Sequence, residues 1–215
     1  MKIYMKQIIT LITVGIIALS CSEKSPIKSN ITYYPTFEVI DGPYIITELG
    51  SGFTDPGVIA NEGENEIPVS VTGSVDPNTE GFYILEYSAT NSDGFSATTT
   101  RNVIVTSSID DVLNTDLSGT YWRSNNPDRA AEVTKVADGF YNITDAFPPN
   151  GIAVVFGQVN GTTLVIPEQS SVFGSVIADE YTDPQTSAFI IDDATIGWNM
   201  RVGGFGVFGI EFNKQ

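Results

Sequence analysis

The residue types that could do chemistry here are defined first by what is missing. The 215 residues include no histidine. That removes the commonest general base, the commonest metal ligand, and the Ser/His and Cys/His nucleophile arrangements together. No G-x-S-x-G elbow, H-E-x-x-H pair or phosphate-binding glycine loop occurs. A glycosidase needs only two facing carboxylates and survives on residue types, but none of the 26 acidic residues is marked by its neighbours as half of such a pair. Asp76-Pro77-Asn78-Thr79-Glu80-Gly81 imitates the opening of a calcium loop. The twelfth position of such a loop needs a bidentate Glu and is Tyr87 here. The segment reads as a β-turn, and neither a metal, another cofactor nor enzymatic activity is expected.

Recognition by aromatic rings remains. Sugars lay their C–H faces on aromatic rings and take hydrogen bonds edge-on from Asn, Asp, Arg and Gln. Both tryptophans lie in the second half, each beside a polar residue, as Trp122-Arg123 and Trp198-Asn199. Tyr121 and Trp122 are adjacent on a strand and so face opposite sides, one of them outward or into a mouth. Phe147 stands at the entrance of a Pro148-Pro149-Asn150-Gly151 loop, and Tyr181 precedes Asp183-Pro184. The candidate ligand-binding set is Trp122, Arg123, Tyr141, Phe147, Tyr181, Trp198 and Asn199. Trp198 also alternates with Ile196, Met200 and Val202, the pattern of a core side chain.

The net charge of −16 repels nucleic-acid phosphates and anionic headgroups, so a nucleic-acid partner is not expected. A hydrophobic content of 41% is too high for acidic disorder. Twenty glycines and many Thr, Val and Ile favour strands and turns. Cys21 is the only cysteine, so no disulfide can form within one chain.

The elements that carry these residues begin with a targeting segment. Lys2 and Lys6 precede an apolar run, Ile8 to Leu19, which ends in Ala18-Leu19-Ser20-Cys21. The run falls short of the roughly 20 residues that span a bilayer, so it reads as a removed signal. The pattern resembles the lipobox of bacterial lipoproteins, with Ala18 where Leu is usual. The resemblance implies cleavage after residue 20, lipid attachment at Cys21, and an outer-membrane lipoprotein on the periplasmic side or the cell surface. Residues 21–35 form the acylated cysteine and a polar tether whose reach is at most about 45–50 Å.

Residues 36–106 predict a small β-sandwich of about seven strands. Tyr83, Leu85, Tyr87 and Ala89 fall on one face of a strand, with Glu86, Ser88 and Thr90 on the other. Other strands are expected at Glu38 to Ile40, Tyr44 to Thr47, Val69 to Thr72 and Ser96 to Thr106. The acidic run Asn61 to Glu66 is read as a connection. Gly50-Ser51-Gly52-Phe53-Thr54-Asp55-Pro56-Gly57-Val58-Ile59-Ala60 resembles the signature of bacterial surface Ig-like domains, the HYR-like modules also found in some insecticidal crystal toxins. Val71 to Asp76, Gly81-Phe82-Tyr83, Tyr87 to Asn91 and Arg101 to Val105 extend the likeness over about 70 residues. It implies a spacer or adhesion module, and Tyr83 is placed to form a tyrosine corner.

Residues 107–118 are a linker with one helical turn, in which Ser108-Ile109-Asp110-Asp111 resembles a capping box. Residues 119–215 predict eight or nine strands, turned at Asp138-Gly139, Asn160-Gly161, Asp192-Asp193 and Gly203-Gly204. Successive hairpins of this kind give an up-and-down barrel or barrel-like sandwich. Leu117 to Tyr121 and Asp138 to Asp145 are similar to C-terminal domains of exported lipoproteins encoded with glycan-uptake systems. The fold class expected is therefore all-β. The expected function is a membrane-anchored, non-catalytic glycan-binding accessory of a polysaccharide uptake system, with an outer-membrane transporter complex as partner. The alternatives are an adhesion subunit that binds another protein, or a barrel that holds a small apolar ligand.

Overall fold

The computed structural model describes residues 31–148 and 150–215. The expected signal segment, Cys21 and the tether up to residue 30 lie outside the described residues. Residues Tyr33–Gln215 form one compact unit. The chain is all-β: an Ig-like sandwich followed by a closed antiparallel barrel.

The sandwich has two sheets. The first takes the order β1 (Thr36–Val39), β3 (Val58–Glu62), β4 (Asn65–Ile67). The second runs β2 (Tyr44–Glu48), β7 (Ser96–Thr106), β6 (Gly81–Thr90), β5 (Ser70–Thr72), with β2 parallel to β7. The acidic run Asn61 to Glu66 is not a bare connection. It folds as a β3–β4 hairpin turned at Gly63, which has a φ of 62°. Buried Ala60 pairs with Ile67, and this pairing leaves Glu64 and Glu66 in solvent.

The Asp55-Pro56-Gly57 signature has a structural role. Arg101 is fully buried, and its guanidinium pairs with Asp55. The same group donates to the carbonyls of Ile40, Gly42 and Gly57, and to the Tyr87 hydroxyl at 3.3 Å. Tyr87 in turn donates to Asp55 at 2.8 Å. One buried cation thus ties the first sheet's connections to the centre of the second, with its donors satisfied. The tyrosine corner also forms: the Tyr83 hydroxyl donates to the Thr79 carbonyl at 2.8 Å.

Along β6 the alternation holds, but the outward face is split. Glu86 and Thr90 meet solvent, whereas Phe82 is buried and Ile84 half-buried. Phe82 registers with Ile104, and Ile104 with Ile46, to make an apolar row across β6, β7 and β2. The barrel covers this row with Phe140, Val159 and Val165. The ring centroids of Phe82 and Phe140 stand 5.6 Å apart, edge to face. Gly157 of the barrel lies so close that a Cβ there would stand 2.5 Å from the Phe82 ring. Between the two domains runs α1 (Ile109–Asn114). Ser108 precedes it, but its side chain makes no capping bond. Val112 packs under Gly139 instead, in the same junction.

The barrel strands are β8 (Gly119–Arg123), β9 (Asn126–Ala137), β10 (Phe140–Ile143), β11 (Val154–Gln158), β12 (Thr163–Ser171), β13 (Gly174–Ala178), β14 (Ser187–Asp192), β15 (Thr195–Val202) and β16 (Val207–Lys214). Nine strands fill eight positions. β13 and β14 lie end to end between β12 and β15, since Ile177 pairs with Arg201 and Ser187 with Asn199. They are one strand position interrupted by an excursion over residues 179–186. The ring closes through two backbone pairs, Gly157–Val165 and Gln158–Leu164. Beyond them the Gln169 side chain takes the place of a strand: it accepts from Val155 N at 2.8 Å and donates to Val155 O at 2.7 Å. Tyr121, Tyr141, Phe156, Trp198, Met200 and Phe212 fill the interior, all fully buried. The interior is therefore packed rather than hollow, which counts against the small apolar ligand held inside, and a ligand would meet this domain at its wall or its mouth.

Two outcomes test this packing. Gly157→Ala would force its methyl against Phe82 and Ile104, and is expected to lower unfolding stability by about 1–3 kcal/mol in a urea titration. Burial, joined in Tyr87 by the hydrogen bond to Asp55, pushes the Tyr87 and Tyr121 hydroxyls up to about 12 from the ordinary 10.0. Their stabilising effect is complete below about pH 10 and is lost as pH rises through about 12, because only the unfolded chain deprotonates in between. Thermal melts over that range should fall with pH, and less steeply in Tyr121→Phe.

Candidate binding groove

Antiparallel hairpins alternate the turns between two ends of the barrel. Asp138-Gly139 and Asn160-Gly161 lie against the sandwich side, where Cβ atoms on the glycines would meet Val112 and Asp111. The turns after β8, β10, β12 and β15 therefore form the opposite, distal end.

That end carries a ring of phenylalanines. Phe147, Phe173, Phe205 and Phe208, with Val202 and Asn150, line a mouth pocket of about 210 Å³. Phe205 is 69% exposed and meets Phe173 edge-on at 6.4 Å. Phe147 is held from three sides. Asp145 accepts backbone N–H bonds from Phe147, Gly151 and Ile152 at 2.8–3.0 Å, which fixes the loop. Arg123 lies over the ring at 5.5 Å and donates to the Pro148 carbonyl at 3.0 Å. Phe208 packs on the ring with centroids 5.1 Å apart.

A second depression runs down the outer wall from the same end. Its volume is about 360 Å³, and Ser124, Asn125, Phe189, Asn199, Gly209 and Glu211 line it, above the backbone of Trp198 and Ile210. Strand register makes the notch. Gly197 stands opposite Glu211, and Gly209 opposite Asn199, so each polar side chain faces a position with no side chain. The Phe189 ring lies over Gly197, where a Cβ would stand 2.8 Å from its Cε2. Asn199 is exposed and donates to the Ser187 hydroxyl at 3.1 Å. Glu211 accepts from the Ser124 hydroxyl at 3.0 Å, and among the described residues its second oxygen has no protein donor. One aromatic face, a carboxylate, two amides and a hydroxyl thus converge on a floor of backbone. This is the donor and acceptor set that hydroxyl-rich ligands need.

The seven residues expected to bind ligand are scattered. Asn199 is in the groove. Arg123 and Phe147 support the mouth. Trp122 is part-exposed on the outer wall, between Ala130 and Asn213. Two rings are corrected to core. Trp198 is fully buried between Phe156 and Phe212, and its indole N–H donates to the Ala146 carbonyl at 2.9 Å. Tyr141 is fully buried, stacked 5.3 Å from Phe156, with its hydroxyl on the Thr115 carbonyl. Each points inward because its strand alternation puts it among apolar neighbours. Tyr181 is 40% exposed but sits in the 179–186 excursion. Burial pushes its hydroxyl up to about 12, with the carboxylates of Glu80, Glu180 and Asp179 adding in the same sense. Glu80 belongs to the sandwich, so this hydroxyl points to the junction and away from the groove.

Phe189, Glu211, Ser124 and Asn125 line the groove without belonging to the sequence-derived set. Period-2 alternation puts Gly197 and Asn199 on one face of β15 and Gly209 and Glu211 on one face of β16, but only the cross-strand register brings them together. Among the described residues no three metal-ligating side chains cluster.

A family model described as a bacterial surface protein Ig-like domain matches residues 38–105, the sandwich half. No curated protein sequence matches the chain significantly. Among solved structures, the lipoprotein BT2262 from Bacteroides thetaiotaomicron is 25% identical; the match covers 84% of this chain and all of that one, with a TM-score of 0.36. CBM51-2 with GlcNAc and INT domains from Clostridium perfringens ZmpB is 13% identical over 83% of this chain and 43% of that one, with a TM-score of 0.30. The ZmpB catalytic domain with CBM51-1 and CBM51-2 is 12% identical over 86% of this chain and 21% of that one, with a TM-score of 0.33. At TM-scores below 0.5 none of the three defines a shared site.

Asp145→Ala removes the acceptor of three backbone N–H groups. The expected result is a stability loss of about 1–3 kcal/mol and faster proteolytic cutting between residues 145 and 152, with the wall groove unaffected.

Proposed function

We propose that this chain is a surface-anchored, non-catalytic glycan-binding protein, with the wall groove as its site. The observation that carries the reading is the checkerboard of Gly197, Glu211, Asn199 and Gly209 beside the Phe189 ring. Gly197 leaves room for the Phe189 ring and Gly209 for the Asn199 amide to lie flat against the wall, so a sugar ring can rest on this low surface while Asn199, Glu211, Asn125 and Ser124 meet its hydroxyls. The ring of Phe189 offers a face for C–H stacking. A volume of about 360 Å³ falls at the low end of small-ligand sites, which suits one end or a short stretch of a polymer.

The bacterial surface Ig-like match supports display at the cell envelope. The lysine-flanked apolar run ending at Cys21 supports lipid attachment there, on the outer membrane and beside an uptake transporter. Among the described residues no groups in the groove form a nucleophile–base pair, and Glu211 is the one carboxylate that lines it. A two-carboxylate hydrolysis mechanism lacks its second partner at this place.

The distal mouth favours a second reading, in which the barrel contacts another protein. Phe173 and Phe205 are exposed, and Asn150 is the one polar residue lining that pocket. Isothermal titration of the secreted-length protein against a panel of polysaccharides separates the two. Heat with at least one polysaccharide, lost or weakened at least tenfold in Asn199→Ala with an unchanged melting temperature, is the outcome expected from the groove. Heat that survives Asn199→Ala and Glu211→Gln but vanishes in Phe205→Ser would move the site to the mouth.

A further inference from the structure

We infer that Glu211 makes this groove selective by charge: it takes uncharged polysaccharide and rejects polysaccharides that carry carboxylate or sulfate groups. The inference rests on the glycan-binding reading above and names its ligand class.

The groove holds one ionisable side chain, and that side chain is acidic. Its Oε1 is engaged by Ser124 at 3.0 Å, and among the described residues Oε2 has no protein donor. An anionic group brought against it meets repulsion, not a counter-charge. The two nearest cations in the sequence of the lining strands cannot compensate. Arg201 lies two residues beyond Asn199 on the same outward face of β15. Its guanidinium is committed to Asp183, at 2.8 Å from Nε, and to Gln185, at 3.0 Å from Nη2. Arg123 immediately precedes Ser124, but alternation turns it to the inner side of β8. There it is bound to the Pro148 carbonyl and the Phe147 ring. The chain as a whole adds a long-range field of the same sign, with 26 acidic residues against 10 basic ones. An uncharged sugar pays none of this repulsion, and a carboxylate accepts strongly from its hydroxyls. Glu211 is therefore the specificity-determining contact, while Asn199 and Phe189 serve neutral and charged sugars alike.

The test uses the whole mature chain and two sets of polymers: dextran, mannan and β-glucan as uncharged probes, and alginate, polygalacturonate and heparin as anionic ones. Titrations are run at low and at physiological salt. The expected result is binding confined to the uncharged set in the unaltered protein. Glu211→Lys should then admit at least one anionic polymer with a tenfold or greater gain that shrinks as salt rises. Glu211→Gln should weaken binding of the uncharged polymer several-fold, with an unchanged melting temperature. An anionic polymer that binds the unaltered protein as tightly as any uncharged one would overturn the charge selection while leaving the glycan reading intact. No binding to either set would overturn both.

Discussion

The apolar row Phe82–Ile104–Ile46 is the constraint on which the architecture depends. On an isolated Ig-like sandwich this row would be an exposed hydrophobic stripe. Here it is the floor on which the barrel stands, sealed by Phe140, Val159 and Val165. Fit at this seam is tight enough that Gly157 has no room for a methyl group. Polar contacts frame it: Glu80 accepts from Ser107 N at 2.7 Å and from the Asn160 amide at 3.4 Å. The sandwich and barrel thus pack as one compact unit, and α1 is part of the seam.

Within the barrel, two different jobs are assigned to the two faces of the same strands. On β15 the inward residues Ile196, Trp198, Met200 and Val202 fill the core. The outward ones, Gly197 and Asn199, make the groove with Gly209 and Glu211 of β16. A large buried tryptophan, with its indole N–H on the Ala146 carbonyl, backs this wall from inside. Such backing suits the proposed site, because a groove already ordered loses little binding energy to ordering.

Much of the fold was legible in the sequence. The alternation in residues 81–90, the Asp-Gly turn at 138–139 and the spans of most barrel strands read directly from local pattern. So did the Asp55-Pro56-Gly57 signature, although its partner Arg101, 46 residues away, gives that signature its meaning. Three features were not legible. A strand position split between β13 and β14 looks in sequence like two strands, because nothing local says that they are collinear. The groove depends on cross-strand register and on Phe189 arriving from β14, which are long-range facts. Trp198 and Tyr141 are large rings, each followed by an asparagine, yet burial claims them. Alternation identifies the face a side chain shares, and only the closed barrel decides which face is inside.

The weak closure between β11 and β12 carries its own consequence. Two backbone pairs and the amide of Gln169 join these strands, and β8 and β16 meet through only three pairs. A cylinder with short stitches has preferred places to come undone. At this seam slow amide exchange should be lost first at Val155, whose N–H is held by the Gln169 side chain, on the flank away from the groove. The β14–β15–β16 wall, paired on both sides, would keep its shape while that flank breathes.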